Sequence, residues 1–598
     1  KDGAVGAAGT ATSVAGIPFY RDASGVNGSI YTHDVSGTDS TAQKNTAYGI
    51  NAMDAITTGD FNTAVGNQSA SALNTGALNT MVGYFSGNAV TEGGDNVLIG
   101  REAGSAITTG SYNTLVGGSA GKAFDTESNN TGFGYEALRS GSLAGAEYNV
   151  AIGNYSLDAL TSGDNNVAVG YNAGTAVTTG GNNTIMGYIA AANITDDTNN
   201  VVIGHRAGNA LTDSGNVVIG SDAARVGTTH SDNVIIGKTA AGNGALTSNG
   251  NVIIGMQAGL YKTSGGSNVF LGYQAGEQCT TTARSIFIGA IAGDNHDTEN
   301  DNLGIGVSAL NGPINGGEFN VAIGNNTLDA LTTGDSNTAI GYQSGGANTT
   351  GFQNTFLGNE AGTSFTTGND SVFIGYRAGH DCTTGGDIIF IGKNAGDGHD
   401  TEGNNLGIGS NALGGPIAGG EFNVGVGNSS LVLVTSGDLN TALGYQSGTN
   451  VTSGSGNCMI GRESGTDAVY NVTTENNRLV LGNNNISNAY IKVALTVTSD
   501  ARDKMNFEEV PHGLDFVKQL NPVKFNFKKS REIEEPHGNA RYGFKAQDIL
   551  ELEGDDNVII DNENTENLKY NGEALVPILT KAVQELSATV TTLQQEIN

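Results

Sequence analysis

Ser499, Asp500, Arg502 and Lys504 stand together in the string "SDARDK". A serine hydroxyl becomes a nucleophile once a base takes its proton, and a lysine serves as that base only when burial or nearby cations keep its amine neutral. A separation of five residues can bring the two side chains together across a turn. Arg502 and Lys518 are candidate cations, able to bias Lys504 or to hold an oxyanion. By spacing alone such a pair is commonplace, so its setting in the chain has to carry the reading.

A second set of reactive side chains lies in two "HDTE" segments: His296, Asp297 and Glu299, then His399, Asp400 and Glu402. Imidazole with carboxylate suits several divalent ions. Each segment offers one histidine, however, and acidic repeat proteins carry many such polar loops. The expectation is therefore solvated loops and no metal, with His296 and His399 as weak candidates. The nine-residue calcium roll is absent, because its Gly-Gly-x-Gly-x-Asp core never occurs. Cys279, Cys382 and Cys458 form no disulfide framework. Tyr171, Tyr188, Tyr273, Tyr342, Tyr376 and Tyr445 follow a recurrent glycine. That position favours packing between repeats over a sugar-binding stripe. Glycan hydrolysis needs paired carboxylates about 5 to 10 Å apart in a groove, and no insertion is long enough to build one. No cofactor is expected.

The elements that hold these residues follow from composition. Among 598 residues there are 92 Gly, 7 Pro and no Trp, with a formal net charge of −32. Gly does not recur every third residue, which excludes collagen. Apolar residues return at fixed intervals, which argues against disorder. The charge argues against nucleic acid and anionic membrane surfaces as partners. No stretch approaches the roughly 20 apolar residues that span a bilayer, so membrane insertion is not expected. The sequence opens on Lys1 without Met, and an upstream portion is expected.

The interval is seventeen residues. "NTAVGNQSASALNTGAL" from Asn62 returns as "NTMVGYFSGNAVTEGGD" from Asn79, "NVAIGNYSLDALTSGDN" from Asn149 and "NTALGYQSGTNVTSGSG" from Asn440, making about 25 copies. In "NVAIG" (Asn149 to Gly153), Val150 and Ile152 point one way and Ala151 the other. Both faces are apolar, which predicts a strand covered on both sides. The glycine after it permits positive φ, and "TTGD" or "TSGD" supplies a second turn. Stacked coils give a parallel β-solenoid or β-roll of roughly 120 Å, at about 4.8 Å per coil. A longer period overlies the first: "HDTENDNLGIG" from His296 returns as "HDTEGNNLGIG" from His399, 103 residues on. Cys279 and Cys382 share that offset, about six coils or roughly 29 Å, beyond disulfide reach.

From Ser499 the cycle stops and lysines become frequent. The end of the chain has heptads, with Val576, Val583, Val590 and Ile597 at a and Leu579, Leu586 and Leu593 at d. Val at a with Leu at d alone favours two strands, so a trimer has to be imposed by the rest of the chain.

Two resemblances join these parts. The cycle Asn-x-(Ala/Val)-(Ile/Val)-Gly, followed by Ala-Gly, resembles the head repeats of trimeric autotransporter adhesins, which implies a trimeric left-handed β-roll over roughly residues 45 to 490. The strings "SDARDK", "GLDFVKQLNPVKFNFK", "RYGFKAQDIL" and "LKYNGEALVPILTKAVQELSATVTTL" resemble the endosialidase-type intramolecular chaperone domain of phage tail spikes and fibres. That resemblance implies a domain that trimerises, templates the upstream trimer and then cuts itself free, with Ser499 as nucleophile and Lys504 as base. The cleaved bond is expected at Ser499, favouring Ser499–Asp500 over Thr498–Ser499.

The expected fold is mainly β. It comprises an irregular segment 1–44, a homotrimeric β-solenoid shaft 45–482, a connector 483–498, and a small α+β chaperone domain 499–598 whose coiled coil spans about 573–598. The expected function is a virion tail fibre or spike shaft for host attachment, made in the host cytoplasm. Its partners would be two further copies, other virion tail proteins and a bacterial surface receptor, a polysaccharide or an outer-membrane protein. The only activity expected is self-cleavage. The alternatives are a bacterial surface adhesin with the same rod and a polysaccharide-degrading tail spike.

Overall fold

The computed structural model describes residues 11–14, 17–21, 29–32, 41–140, 145–227, 231–467, 470–486, 489–492, 499–528, 531–554, 557–563, 565–566 and 568–597. The chain divides into two compact units, Lys1–Asp387 and Ile388–Asn598.

The first unit opens with an antiparallel pair, Ala11–Val14 with Ile17–Arg21. The second of these strands pairs antiparallel with Ile30–Tyr31, which in turn pairs parallel with Thr46–Ala47. From there to Val372–Ile374, three-residue strands pair in parallel, each with the equivalent strand of the next coil. Val150, Ala151 and Ile152 face Val167, Ala168 and Val169. The middle residue of each strand is buried, while the first and third are half-buried or exposed. A strand covered on both sides was expected; in the single chain only the inner face is covered.

A ladder of buried asparagines fixes the register. Asn79 donates its backbone N–H to Asn62 Oδ1 at 3.0 Å and its Nδ2 to the Gly93 carbonyl at 2.9 Å, and Asn96 repeats the pattern on Asn79. Each amide thereby meets the donors and acceptors that burial leaves without water. Serine tolerates the site where it substitutes: Ser285 donates to Asn268 and accepts from Asn302. The glycine after the strand is obligatory. Gly83 has φ +143°, and a Cβ there would lie 2.3 Å from the carbonyl oxygen of Gly100 one coil on.

The second unit carries the same coil from Ile389–Ile391 to Leu479–Leu481, followed by a small α+β domain. In that domain α1 (Leu514–Gln519) packs on α3 (Leu575–Ile597), and Val523–Lys528 pairs antiparallel with Pro536–Gly543. With α2 (Ala546–Glu553), these elements bury Phe516, Ile549, Ile559, Ile560, Leu575 and Ile578. Helix α3 has two apolar faces. Leu575, Ile578 and Ala582 are buried in the domain, whereas all seven heptad residues, Val576 through Ile597, are exposed. Among the described residues no helix is long and apolar enough to cross a membrane.

Candidate functional site

Ser499 begins the described part of the tail. Asp500 caps a single 3₁₀ turn, Ala501–Asp503, accepting the Arg502 N–H at 2.9 Å. The Arg502 guanidinium folds back on the same carboxylate at 2.5 Å, holding the Asp500 carboxyl below its usual range. The Lys504 N–H closes the turn on the Ala501 carbonyl at 3.3 Å. This one turn reverses the chain, so that Lys504 Nζ donates to Ser499 Oγ at 2.5 Å. Both residues are exposed, as are Met505 and Phe507 just beyond.

The two candidate cations stand elsewhere. Arg502 is engaged with Asp500, and Lys518 pairs with Asp515 at 3.1 Å. Among the described residues no hydrogen bond joins either to the Ser499–Lys504 pair. The bond Ser499–Asp500 is described, whereas Thr498 lies outside the described residues.

The rest of the tail domain is held by buried and half-buried ion–dipole contacts. Glu553 is buried and accepts the backbone N–H groups of Val558, Ile559 and Ile560. Glu585 of α3 accepts the Leu514 N–H at the start of α1, and Lys581 donates to the Val510 carbonyl. Helix α3 thus holds the chain segment that leads away from Lys504. Residues 499–559 match the Peptidase_S74 family model, chaperone of endosialidase. No curated protein matches the chain. The segment that matches this model therefore lies downstream in sequence of a parallel β-solenoid whose last strand is Leu479–Leu481.

The "HDTE" segments are solvated only in part, which corrects that expectation: Asp297, Thr298, Asp400 and Thr401 are exposed, whereas both histidines and both glutamates are buried. His296 is fully buried against the Phe287 ring, with centroids 4.7 Å apart, and its two ring nitrogens have no hydrogen-bond partner among the described residues. Burial pushes its pKa down to about 3, so it sits in the core as a neutral ring. His399 packs the same way on Phe390, and burial takes it to about 3 against a smaller upward pull from the Leu413 backbone. The glutamates are structural clamps. Glu299 accepts the N–H groups of Asp297, Thr298 and, across one coil, Gly316. Glu127 does the same with Asp125 and Gly145, and Glu402 with Asp400, Thr401 and Gly419. Each clamp precedes a coil longer than seventeen residues: Gly134 to Gly153, Gly306 to Gly324 and Gly409 to Gly427. The signal was legible as a Glu standing where other coils have the turn glycine, one coil before an insertion.

Tyrosine rings pack coil on coil. Tyr135 meets Tyr155, Tyr171 stacks on Tyr188 at 5.5 Å, and Tyr188 stacks on His205 at 5.4 Å. Tyr171 and Tyr188 nevertheless remain exposed to solvent. Cys279 is buried and burial pushes its thiol up to about 12, with its sulfur donating to the Gly293 carbonyl at 3.4 Å. Sequence reasoning missed Lys262, which is fully buried in the solenoid. Its ammonium donates to the Ser264 and Thr282 carbonyls, and burial lowers its pKa to about 8.

Proposed function

We propose that this chain is the shaft of a homotrimeric virion tail fibre or spike, assembled by its C-terminal domain and then released from it by cleavage at Ser499. The observation that carries this reading is the 2.5 Å contact of Lys504 Nζ with Ser499 Oγ, inside the matched segment and downstream in sequence of the solenoid. Lys504, as a neutral amine, takes the proton of the Ser499 hydroxyl as Oγ attacks the carbonyl of the adjoining peptide bond. The proton passes to the departing amine, and water then hydrolyses the ester to a carboxylate and the free hydroxyl. The single chain supplies the contact but leaves the pair in water. A lysine is kept neutral by desolvation or by neighbouring cations, so assembly is the step that closes the site.

Trimer formation is supported by two unpartnered apolar surfaces. One is the heptad face of α3. The other is the row of third strand residues, Ile99, Phe133, Ile152 and Met186 among them, which recurs on every coil of the first unit. Continuous apolar surface on that scale is rare on a lone soluble chain. Three domains that meet first would align three shafts, which makes the later non-local strand contacts effectively intramolecular. Cleavage then leaves shafts whose persistence is set by their rate of unfolding.

The test is expression of the parent chain beside Ser499→Ala and Lys504→Ala. The parent should separate into a shaft and a tail of roughly a hundred residues on a denaturing gel, while each variant stays whole. Processing of both variants at the parental rate rejects the Ser–Lys assignment. Attachment is tested separately, by fluorescence of labelled shaft on a panel of bacterial cells. Retention on none of the cells rejects the attachment reading.

A further inference from the structure

Between Thr63 and Ile203 the sequence holds three basic residues, Arg101, Lys122 and Arg139. In an acidic chain the expected distribution would disperse them. Instead two of them, Lys122 and Arg139, line one groove, and Arg101 pairs with a carboxylate on its wall. Lys122 pairs with Glu102 at 2.7 Å, Arg101 pairs with the same carboxylate at 3.0 Å, and Arg139 pairs with Glu136 at 2.6 Å. Lys122 and Arg139, about half exposed, line a groove of about 570 Å³ across successive coils of the first unit. Glu102, Phe85, Ser105 and Asn88 line it too.

The lining itself therefore holds two cations and one carboxylate. Asp158 on the following coil also feels Arg139, but its carboxylate accepts a hydrogen bond from Thr175 and burial raises its pKa. Each lining cation spends part of its donor set on one glutamate. An ammonium has three donors and a guanidinium five, in a fork that suits a carboxylate. The glutamates hold these heads in place, so binding would cost little further ordering. The volume lies within the range of small-molecule sites and exceeds the needs of a bare inorganic anion. Hydroxyl and amide groups from Ser105 and Asn88 suit a polyhydroxylated ligand, and Phe85 supplies apolar wall. Glu102 on that wall and the charge of −32 on the chain work against ligands of high charge density.

We propose that this groove binds a sugar unit carrying one carboxylate, as in an acidic surface polysaccharide. The proposal rests on the attachment reading and names the class of receptor it would take.

The experiment is calorimetric titration of the full chain with trigalacturonate, with a neutral galactose trisaccharide and with inorganic phosphate. Saturable heat is expected from trigalacturonate, at least tenfold weaker binding from the neutral sugar, and no displacement by phosphate at equal concentration. Arg139→Gln and Ser105→Trp, the second filling the groove without removing charge, should each weaken trigalacturonate binding at least tenfold while the far-ultraviolet circular dichroism is unchanged. Absence of heat, equal affinity for the neutral sugar, displacement by phosphate, or parental affinity in both variants overturns the proposal. Labelled shaft that still coats cells after failing these titrations removes the groove alone. Trigalacturonate binding by a shaft that coats no cells removes the attachment reading and leaves the groove.

Discussion

Glu299 reaches across one coil to accept the N–H of Gly316 at 2.9 Å, at the place where the coil from Gly306 to Gly324 exceeds seventeen residues. The extra residue would otherwise leave a backbone donor without a partner beside a buried carboxylate. Stability in a stacked repeat is close to a sum of local terms, so the effect of losing this clamp should be confined to its neighbours. Glu299→Ala leaves three N–H groups to find other partners, at about 1 to 3 kcal/mol for each one that stays buried and unmet. Amide exchange at Thr298 and Gly316 should quicken at least tenfold, with coils several repeats away unchanged. Parental exchange at both amides would show that the clamp is dispensable.

Acid should loosen the core at His296. Its folded pKa is depressed to about 3 from an ordinary value near 6.5, so between those values the unfolded chain binds a proton that the folded chain excludes. The stability tied to the neutral ring is therefore complete above about pH 6.5 and is lost as pH falls toward 3. His296→Leu fills a similar volume without that proton. Urea midpoints measured between pH 7 and pH 4 should fall less in the variant than in the parent. Equal slopes would mean that His296 takes up no differential proton.

Gly83 tests the stacking geometry. Its φ of +143° and the 2.3 Å approach of the Gly100 carbonyl to any added Cβ leave no room for a side chain. Gly83→Ala combines a strained backbone of about 1 to 3 kcal/mol with a steric clash. Soluble yield should drop, and amides from Gly83 to Gly100 should lose protection. Alanine accommodated with parental protection would mean that the coil spacing can open at that point.

The exposed heptad face of α3 gives the clearest test of assembly. Leu586, about half exposed, would lie inside a coiled coil at d, where a carboxylate costs several kcal/mol once desolvated. In a Ser499→Ala background, which keeps the tail attached, Leu586→Asp should shift the sedimenting species from trimer toward monomer. The domain fold should be kept, because that face does not contribute to the Phe516 and Ile549 core. An unchanged trimer would move the assembly function from this face to the shaft.

Much of this molecule is written in its period. A residue type that recurs every seventeen positions, with Asn before the strand and Gly after it, is satisfied only where equivalent positions stack, because buried amide and carbonyl groups need like partners above and below. The asparagine ladder at Asn62, Asn79 and Asn96 and the parallel strands follow from that repetition. The heptads of α3 and the motif around Ser499 were legible for the same reason, since each depends on residues close in sequence. Tertiary structure decided what depends on the neighbouring coil. Whether His296 lies in water or against Phe287, whether Glu299 faces solvent or closes on Gly316, and whether Lys122 and Arg139 share a groove are settled by what is stacked next to them, seventeen or more residues away. Local sequence sets which side chain stands at a turn, but burial and its partners are properties of the stack.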